Sequence, residues 1–405
     1  MTTRNSFFLL KRLGQISCFL GLFSLSIAAG NPVIQFEGAA QVRSSLLTHD
    51  IVARGLDGQT YFVSPEGQPG GKGTKDAPFG SIEAAAKLLN PGDTLLLRGG
   101  VYTGNHPDAL AFIRSQGSED RWIRIANYPG ERPIIQFNSQ RGFSLQGVRY
   151  LLLEGIEFYG ESDKIEPAEA IAYGEAFDDT EEREVRFFGV GIRIEGLPEE
   201  GRSGFPHHVI VRNCRIYHTA GGGIAVARGD YILIEDNEIF ETSHYSPWGE
   251  SGISVWESAN FDNRQDVYRT VIQGNRSYRN DNKVRFWITK TYSDGNGIIL
   301  DALRIDQAIL EDGGTEPYTG RILVKDNVCF ENGGRGINVY ESDAIDIVGN
   351  TLIHNSLRGN SQYEIELGRT RGTRIIDNVI MPKPGKKDQG GYEFEAIIYA
   401  ENLVY

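Results

Sequence analysis

The stretch ILVKDNVCF at residues 322–330 has near copies earlier in the chain, ILIEDNEIF at 232–240 and VIVRNCRIY at 209–217. Aligned without gaps, the three place Asn327, Asn237 and Cys214 in one column. VIQGNRSY, DIVGNTLI and RIIDNVI extend it with Asn275, Asn350 and Asn378. A second column pairs a glycine with an isoleucine in GVGIRI (189–194), GGGIAV (221–226), ESGISV (250–255), GNGIIL (295–300) and GRGINV (334–339), and YEIEL (363–367) is a degenerate sixth member. Where nothing is inserted, the step from Cys214 to Asn237, and again from Asn327 to Asn350, is 23 residues. One turn of a parallel β-helix uses roughly that many residues, each turn stacking short strands on the turns above and below. The asparagine column then has a mechanism. A side-chain amide carries both donors and an acceptor, so amides stacked at successive bends satisfy one another and the backbone. Cys214 reads as an apolar plug in that column. The expected fold class is all-β, a single-stranded right-handed parallel β-helix (solenoid) with an N-terminal capping helix and long loop insertions.

Composition agrees. The chain has 405 residues with 49 Gly, 15 Pro and 40% hydrophobic content, which excludes collagen-like and disordered classes. Residues 1–30 carry Arg4, Lys11 and Arg12 ahead of ISCFLGLFSLSIAAG, the pattern of a secretory signal. The expectation is a mature domain of residues 31–405, monomeric, secreted or periplasmic, and not inserted in a membrane. After such cleavage only Cys214 and Cys329 remain, too few for a disulfide framework. The net charge of −13 argues against nucleic acid and anionic membranes as partners.

The open end of a solenoid needs a cap, and GSIEAAAKLLNPGD (80–93) supplies one: Ser81 is an N-cap, Ile82, Ala85, Ala86 and Leu89 form an apolar stripe, and Asn90-Pro91-Gly92 stops the helix. Residues 160–185, acidic and rich in Ala and Glu, read as a helical excursion, and YEFEAIIYAENLVY (392–405) as the last strands. With YFVSPEGQPGGKGTKDAPFGSIEAAAKLLNPGDTLLLRGGVYTG (61–104), YPGERPII (128–135) and the two columns in view, the chain resembles the secreted β-helix proteins of the pectate-lyase superfamily, among them pectate, alginate and chondroitinase-like polysaccharide lyases. The resemblance implies the fold and a polysaccharide substrate. It leaves the reaction open, because its residues cap and stack turns and no lysine matches a family base.

Insertions locate the working face. From the asparagine column to the Gly-Ile column the bare interval is 10 residues, but it is 16 between Asn237 and Ile253 and 23 between Asn275 and Ile298. On the return the bare 13 becomes 22 from Ile253 to Asn275 and 29 from Ile298 to Asn327. Two consecutive turns therefore carry walls on both sides of one strand. Strand alternation directs Ile253, Val255, Ile298, Leu300, Ile337 and Val339 inward. Ser254, Trp256, Ile299, Asp301, Asn338 and Tyr340 then face outward, stacking Trp256, Asp301 and Tyr340 on successive turns. An acid between two aromatic rings suits a sugar, whose apolar faces lie on rings and whose hydroxyls reach carboxylates. Solvated strand acids and ordinary aromatic stacking would give the same pattern.

The leading expectation is a lyase that cleaves a uronic-acid polysaccharide by β-elimination, which needs the sugar carboxylate neutralised, a base, and an acid for the leaving oxygen. Arg335 or a bound Ca²⁺ would neutralise the carboxylate, with Asp294, Asp301 and Asp281 as the metal ligands. His244 or Lys290 would be the base and Tyr340 the acid, with Asp301 itself at the catalytic centre. Trp256, Trp248, Asn338 and Glu250 would bind substrate. Asp294 precedes a glycine, so turn chemistry also accounts for it. The alternatives are a glycoside hydrolase pairing Asp301 with Glu250 or Asp294, and a non-catalytic glycan-binding protein. Zinc spacing, a phosphate loop and a Gly-x-Ser-x-Gly elbow do not occur in the sequence.

Overall fold

The computed structural model describes residues 55–68, 70–178, 183–303, 317–358 and 361–405. The signal-like residues 1–30 lie outside them. Within the described part, three sheets of eleven, nine and ten strands are built by a chain that visits them in rotation. The eleven-stranded sheet runs from Thr60–Gln68 to Ile398–Ala400, the nine-stranded sheet from Ala111–Ile113 to Lys387–Tyr392, and the ten-stranded sheet from Gly100–Tyr102 to Leu403–Val404. Every pairing is parallel, as in Ile253↔Ile298↔Ile337↔Ile365 across the nine-stranded sheet. The last strands of the eleven- and ten-stranded sheets fall within the C-terminal stretch read as strands, which contributes Tyr392 to that of the nine-stranded sheet.

The interior follows from strand alternation. Ile253, Val255, Ile298, Leu300, Ile337 and Val339 are fully buried members of one apolar core that extends from Val63 to Ile380. The cap is shorter than its sequence stripe. Helix α1 spans Ile82–Ala86, with the Ser81 hydroxyl accepting from the Ala84 amide at 3.2 Å, and Leu89 still packs on the core although the helix has already ended. The excursion after Tyr159 contains α2, Pro167–Ala176, opened by a proline where the missing amide costs nothing.

The asparagine column is a hydrogen-bonded ladder with one direction. The backbone amide and the side-chain amide of each asparagine both donate to the Oδ1 of the next, at 3.0 Å for Asn237 to Asn275 and at 2.9–3.0 Å for Asn275 to Asn327. The ladder continues through Asn350 and Asn378 to Asn402, and Cys214 opens it by donating its backbone amide to Asn237 at 2.9 Å.

A second ladder, not read from the sequence, stands five residues further along each turn. Thr242 donates to Asn280, Asn280 to Asn332, and Asn332 to Asn355. Glu364 ends it by accepting from the Asn355 backbone at 2.9 Å and from its side chain at 2.5 Å. This second ladder explains the glycine of the Gly-Ile column. A Cβ on Gly252 would lie 2.6 Å from Asn280 Nδ2, and one on Gly336 would lie 2.9 Å from Asn355 Nδ2. Glu364 occupies the same column position just before Ile365, and there it takes the place of the missing rung.

Asn327→Ala removes the acceptor used by Asn275 and the donor to Ile272 O and Asn350 Oδ1. Stranding these buried groups should cost about 3–5 kcal/mol, against about 1 kcal/mol for Asn402→Ala at the half-buried end of the ladder. Urea unfolding midpoints of the two variants check the ranking.

Candidate functional site

On the outer face of the nine-stranded sheet, register aligns Arg193, Ala225, Ser254, Ile299, Asn338 and Glu366 in one row. Ala227, Trp256, Asp301, Tyr340 and Gly368 form the next. Ala225 and Ile299 point away from the core yet are buried, because chain excursions wall the sheet. On one side the walls are the segments that precede each strand of this sheet. They share an apolar cluster of Phe177, Phe187, Phe188, Tyr245 and Val284, against which Trp248 and Trp287 pack. On the other side, residues 257–266 are tied to the eleven-stranded sheet by the buried Arg269–Asp230 ion pair, with Arg269 also donating to Asn260 at 3.1 Å.

Between the walls lies a pocket of about 450 Å³. Its charged lining is Glu250, Asp294 and Asp301 together with Arg141 and Arg193, and its apolar lining includes Phe188, Trp248, Trp256 and Phe286. Asp301, at the end of its strand, receives no side-chain hydrogen bond from the described residues. Burial, then the nearby charges of Asp294, Glu341 and Glu257, push its carboxyl up to about 7. Burial likewise pushes Glu250 up to about 7, with Asp294 adding to the effect while Ser246 and Arg193 oppose it, and Glu250 Oε2 is buried without a donor. Asp294 is raised by burial, although hydrogen bonds from Ser293 at 2.6 Å and Asn296 at 3.3 Å hold its carboxylate in place. Arg141 and Arg193 both approach Glu195, at 3.5 and 3.3 Å. Two guanidiniums sharing one carboxylate leave positive charge in the pocket, and Arg193 acts on Glu250 as well.

The structure gathers five of the expected site residues at this pocket: Asp301, Asp294, Glu250, Trp248 and Trp256. Tyr340 and Asn338 stand on the adjoining strand, level with Asp301 and Ile299. Burial and Glu341 push the Tyr340 phenol up to about 12. Arg335 is engaged elsewhere. It forms an ion pair with Glu366 at 2.8 Å and donates to the Ser293 carbonyl at 2.6 Å, so it braces the turn that carries Asp294.

Three expectations are corrected. His244 lines a different cavity from Asp301, and there burial and Lys283 hold its imidazole down to about 3, which makes it a weak base. Lys290 sits exposed in a turn closed by its amide on the Phe286 carbonyl, outside the pocket. Asp281 lines the same cavity as His244 and is paired with Arg358, so Asp281, Asp294 and Asp301 do not converge. Among the described residues no three His, Cys, Asp or Glu side chains are grouped to hold a metal ion, and the acids do not fit the expected Ca²⁺ site. Arg193 was missed, although the register that exposed Ser254 and Ile299 also exposes it.

Residues 61–369 match the family described as Pel9A-like, right handed beta helix region. The chain belongs to this family. The match supplies the hand of the coil and agrees with the three parallel sheets. Pectate lyase L of Thermoclostridium stercorarium is 23% identical over 329 residues, 75% of this chain and 23% of that protein. The chain spans less than a quarter of the length of the curated relatives it matches. Among solved structures, pectate lyase Pel9A is 14% identical with a TM-score of 0.45, covering 80% of this chain and 64% of its own. XylC in complex with xylose is 14% identical with a TM-score of 0.49, covering 82% and 70%. Homology thus connects this Pel9A-like chain to polysaccharide lyases.

The raised carboxyl of Asp301 has a consequence for stability. A carboxyl at about 7 in the folded state, against about 4 in the unfolded chain, contributes stability below about pH 4 that is lost as pH rises through 7. Asp301→Asn carries no such loss. It should be more stable than the parent by about 1–2 kcal/mol at pH 8, with the gain shrinking towards pH 4, as read from unfolding midpoints across pH.

Proposed function

We propose that this chain cleaves a glycosidic bond of a polysaccharide by hydrolysis, with Asp301 as the general acid and Asp294 as the partner carboxylate. The observation that carries the proposal is the pairing of the two acids in one pocket with opposite supports. Asp301 has no side-chain donor and is pushed up to about 7, so it holds a proton near neutral pH that it can give to a leaving oxygen. Asp294 is also raised by burial, but unlike Asp301 it has donors, Ser293, Ser251 and Asn296, that work against the shift and orient its carboxylate as a base or nucleophile requires. Trp256 is next to Asp301 in register and lines the same pocket, offering a ring face to a sugar. Glu250 adds a further acceptor for sugar hydroxyls. The basic and then apolar opening of residues 1–30 supports export to where such polymers are met.

A second reading is β-elimination on a uronate polymer. It is favoured by membership of the Pel9A-like family and the relation to pectate lyase L. In this reading Arg141 and Arg193, rather than Arg335, neutralise the sugar carboxylate, and an ionised Asp301 or Asp294 takes the proton. No step of either reading passes through a metal.

The two readings leave different products. Purified protein is incubated with uronate-containing and neutral polysaccharides, and new reducing ends are compared with the absorbance of unsaturated sugar. Hydrolysis predicts reducing ends without that absorbance, a rate that falls as pH rises above about 7, and a loss of about 10³-fold in kcat for Asp301→Asn. Unsaturated product would replace hydrolysis with elimination. Full activity of Asp301→Asn would remove Asp301 from the chemistry in both.

A further inference from the structure

We propose that a second cavity, of about 560 Å³, is a separate glycan-binding site that takes the anionic group of an acidic sugar on Lys283, which His244 positions. It lies where the segment Ser162–Pro167 faces the bends that follow the ten-stranded sheet, at His218, Glu241, Arg279 and Glu331. None of its lining residues lines the pocket of Asp301. The inference rests on the reading that this chain handles polysaccharides.

Charge pairing singles out Lys283. Around it, Asp281 is paired with Arg358 and Glu331 with Arg279 at 2.9 Å, while Glu241 meets His218 at 3.3 Å and, with Asp281, acts on the ammonium only through space. Lys283 has no carboxylate within ion-pair distance among the described residues. Its contact is His244 Nδ1, at 3.3 Å. An ammonium can only donate, so the imidazole accepts through Nδ1 and its proton sits on Nε2. The remaining ring N–H of His244 is engaged by the Arg279 backbone, so the corner offers one donor to a ligand, the Lys283 ammonium, a half-buried charge that a ligand anion would complete.

The remaining lining suits a sugar rather than a bare ion. The Tyr245 ring lies below the ammonium at 5.5 Å, and Ile165, Pro167 and Leu357 supply apolar surface. The Ser162 hydroxyl, fully buried, has no hydrogen-bond partner among the described residues. Asp163 and Glu166 add acceptors for hydroxyls. The same excursions wall both sites: the chain passes His244 and Tyr245 here before reaching Trp248 and Glu250 in the other pocket, and Lys283 before Phe286 and Asp294. A polymer cut in one pocket could be gripped in the other.

The test is calorimetric titration of the full chain with D-glucuronate, with D-glucose and sodium sulfate as separate arms. The parent should bind glucuronate at a site that survives Asp301→Asn. Lys283→Met should weaken that site roughly tenfold or more, and Lys283→Arg should restore most of it. Melting temperature and turnover of a short substrate should be unchanged in both Lys283 variants, which separates lost binding from misfolding. Absence of glucuronate binding, or equal binding by the parent and Lys283→Met, would overturn the site. Sulfate competing as well as glucuronate would overturn the sugar assignment and leave an adventitious ion only. Lys283-dependent binding in a chain that turns over no polysaccharide would sink the proposed function and spare this site. Turnover with no effect of Lys283→Met would do the reverse.

Discussion

The structure depends on one interaction repeated: a side-chain amide that accepts two N–H groups from the turn before it, returns one hydrogen to a carbonyl of that turn and hands another onward. A parallel coil must bend sharply between strands, and each bend exposes backbone groups that cannot be left bare inside a protein. The ladders from Cys214 to Asn402 and from Thr242 to Glu364 satisfy those groups side by side. Because each rung fixes the next at nearly constant spacing, the register of the nine-stranded sheet stays constant from Ile224 to Ile365. That constancy sets Trp256, Asp301 and Tyr340 in line.

The site is the scaffold's opposite. The coil gains from burying aliphatic side chains, whereas the pocket holds three acids where burial penalises their charge, which is why two of them are pushed up to about 7. Such groups lower stability and are suited to proton transfer near neutral pH. The aromatic cluster behind the wall and the Arg269–Asp230 pair beyond it keep the excursions in position, so the acids are held by rigid surroundings rather than by free loops.

What was legible in the sequence follows the same division. Period and alternation are properties of the coil, so the fold, the inward isoleucines and the outward row of Trp256, Asp301 and Tyr340 could all be read from spacing. Residues in the insertions have no register to reveal their direction. Trp248, Glu250 and Asp294 do reach the pocket, but His244 and Asp281, four to thirteen positions away in the same stretches, turn into another cavity. Lys290 projects from a turn whose shape no periodicity encodes. The second ladder was legible in principle, since Asn280, Asn332 and Asn355 each follow a first-column asparagine by five residues.

Both ladders run one way, since every amide-to-amide hydrogen bond points to the turn that follows, while second side-chain hydrogens, as from Asn275 to Ile234 and from Asn332 to Ser277, return to carbonyls of the turn before. Their two ends therefore pose different chemical problems. The leading end needs only a hydrogen to give, so a cysteine backbone or a threonine hydroxyl is enough there. The trailing end needs a group that receives, and Glu364 meets the need with oxygens alone. The stack is thus polarised like a zip fastener with dissimilar stops. Grafting extra turns ahead of Thr242 requires just another amide, whereas lengthening beyond Glu364 means first replacing the stop itself.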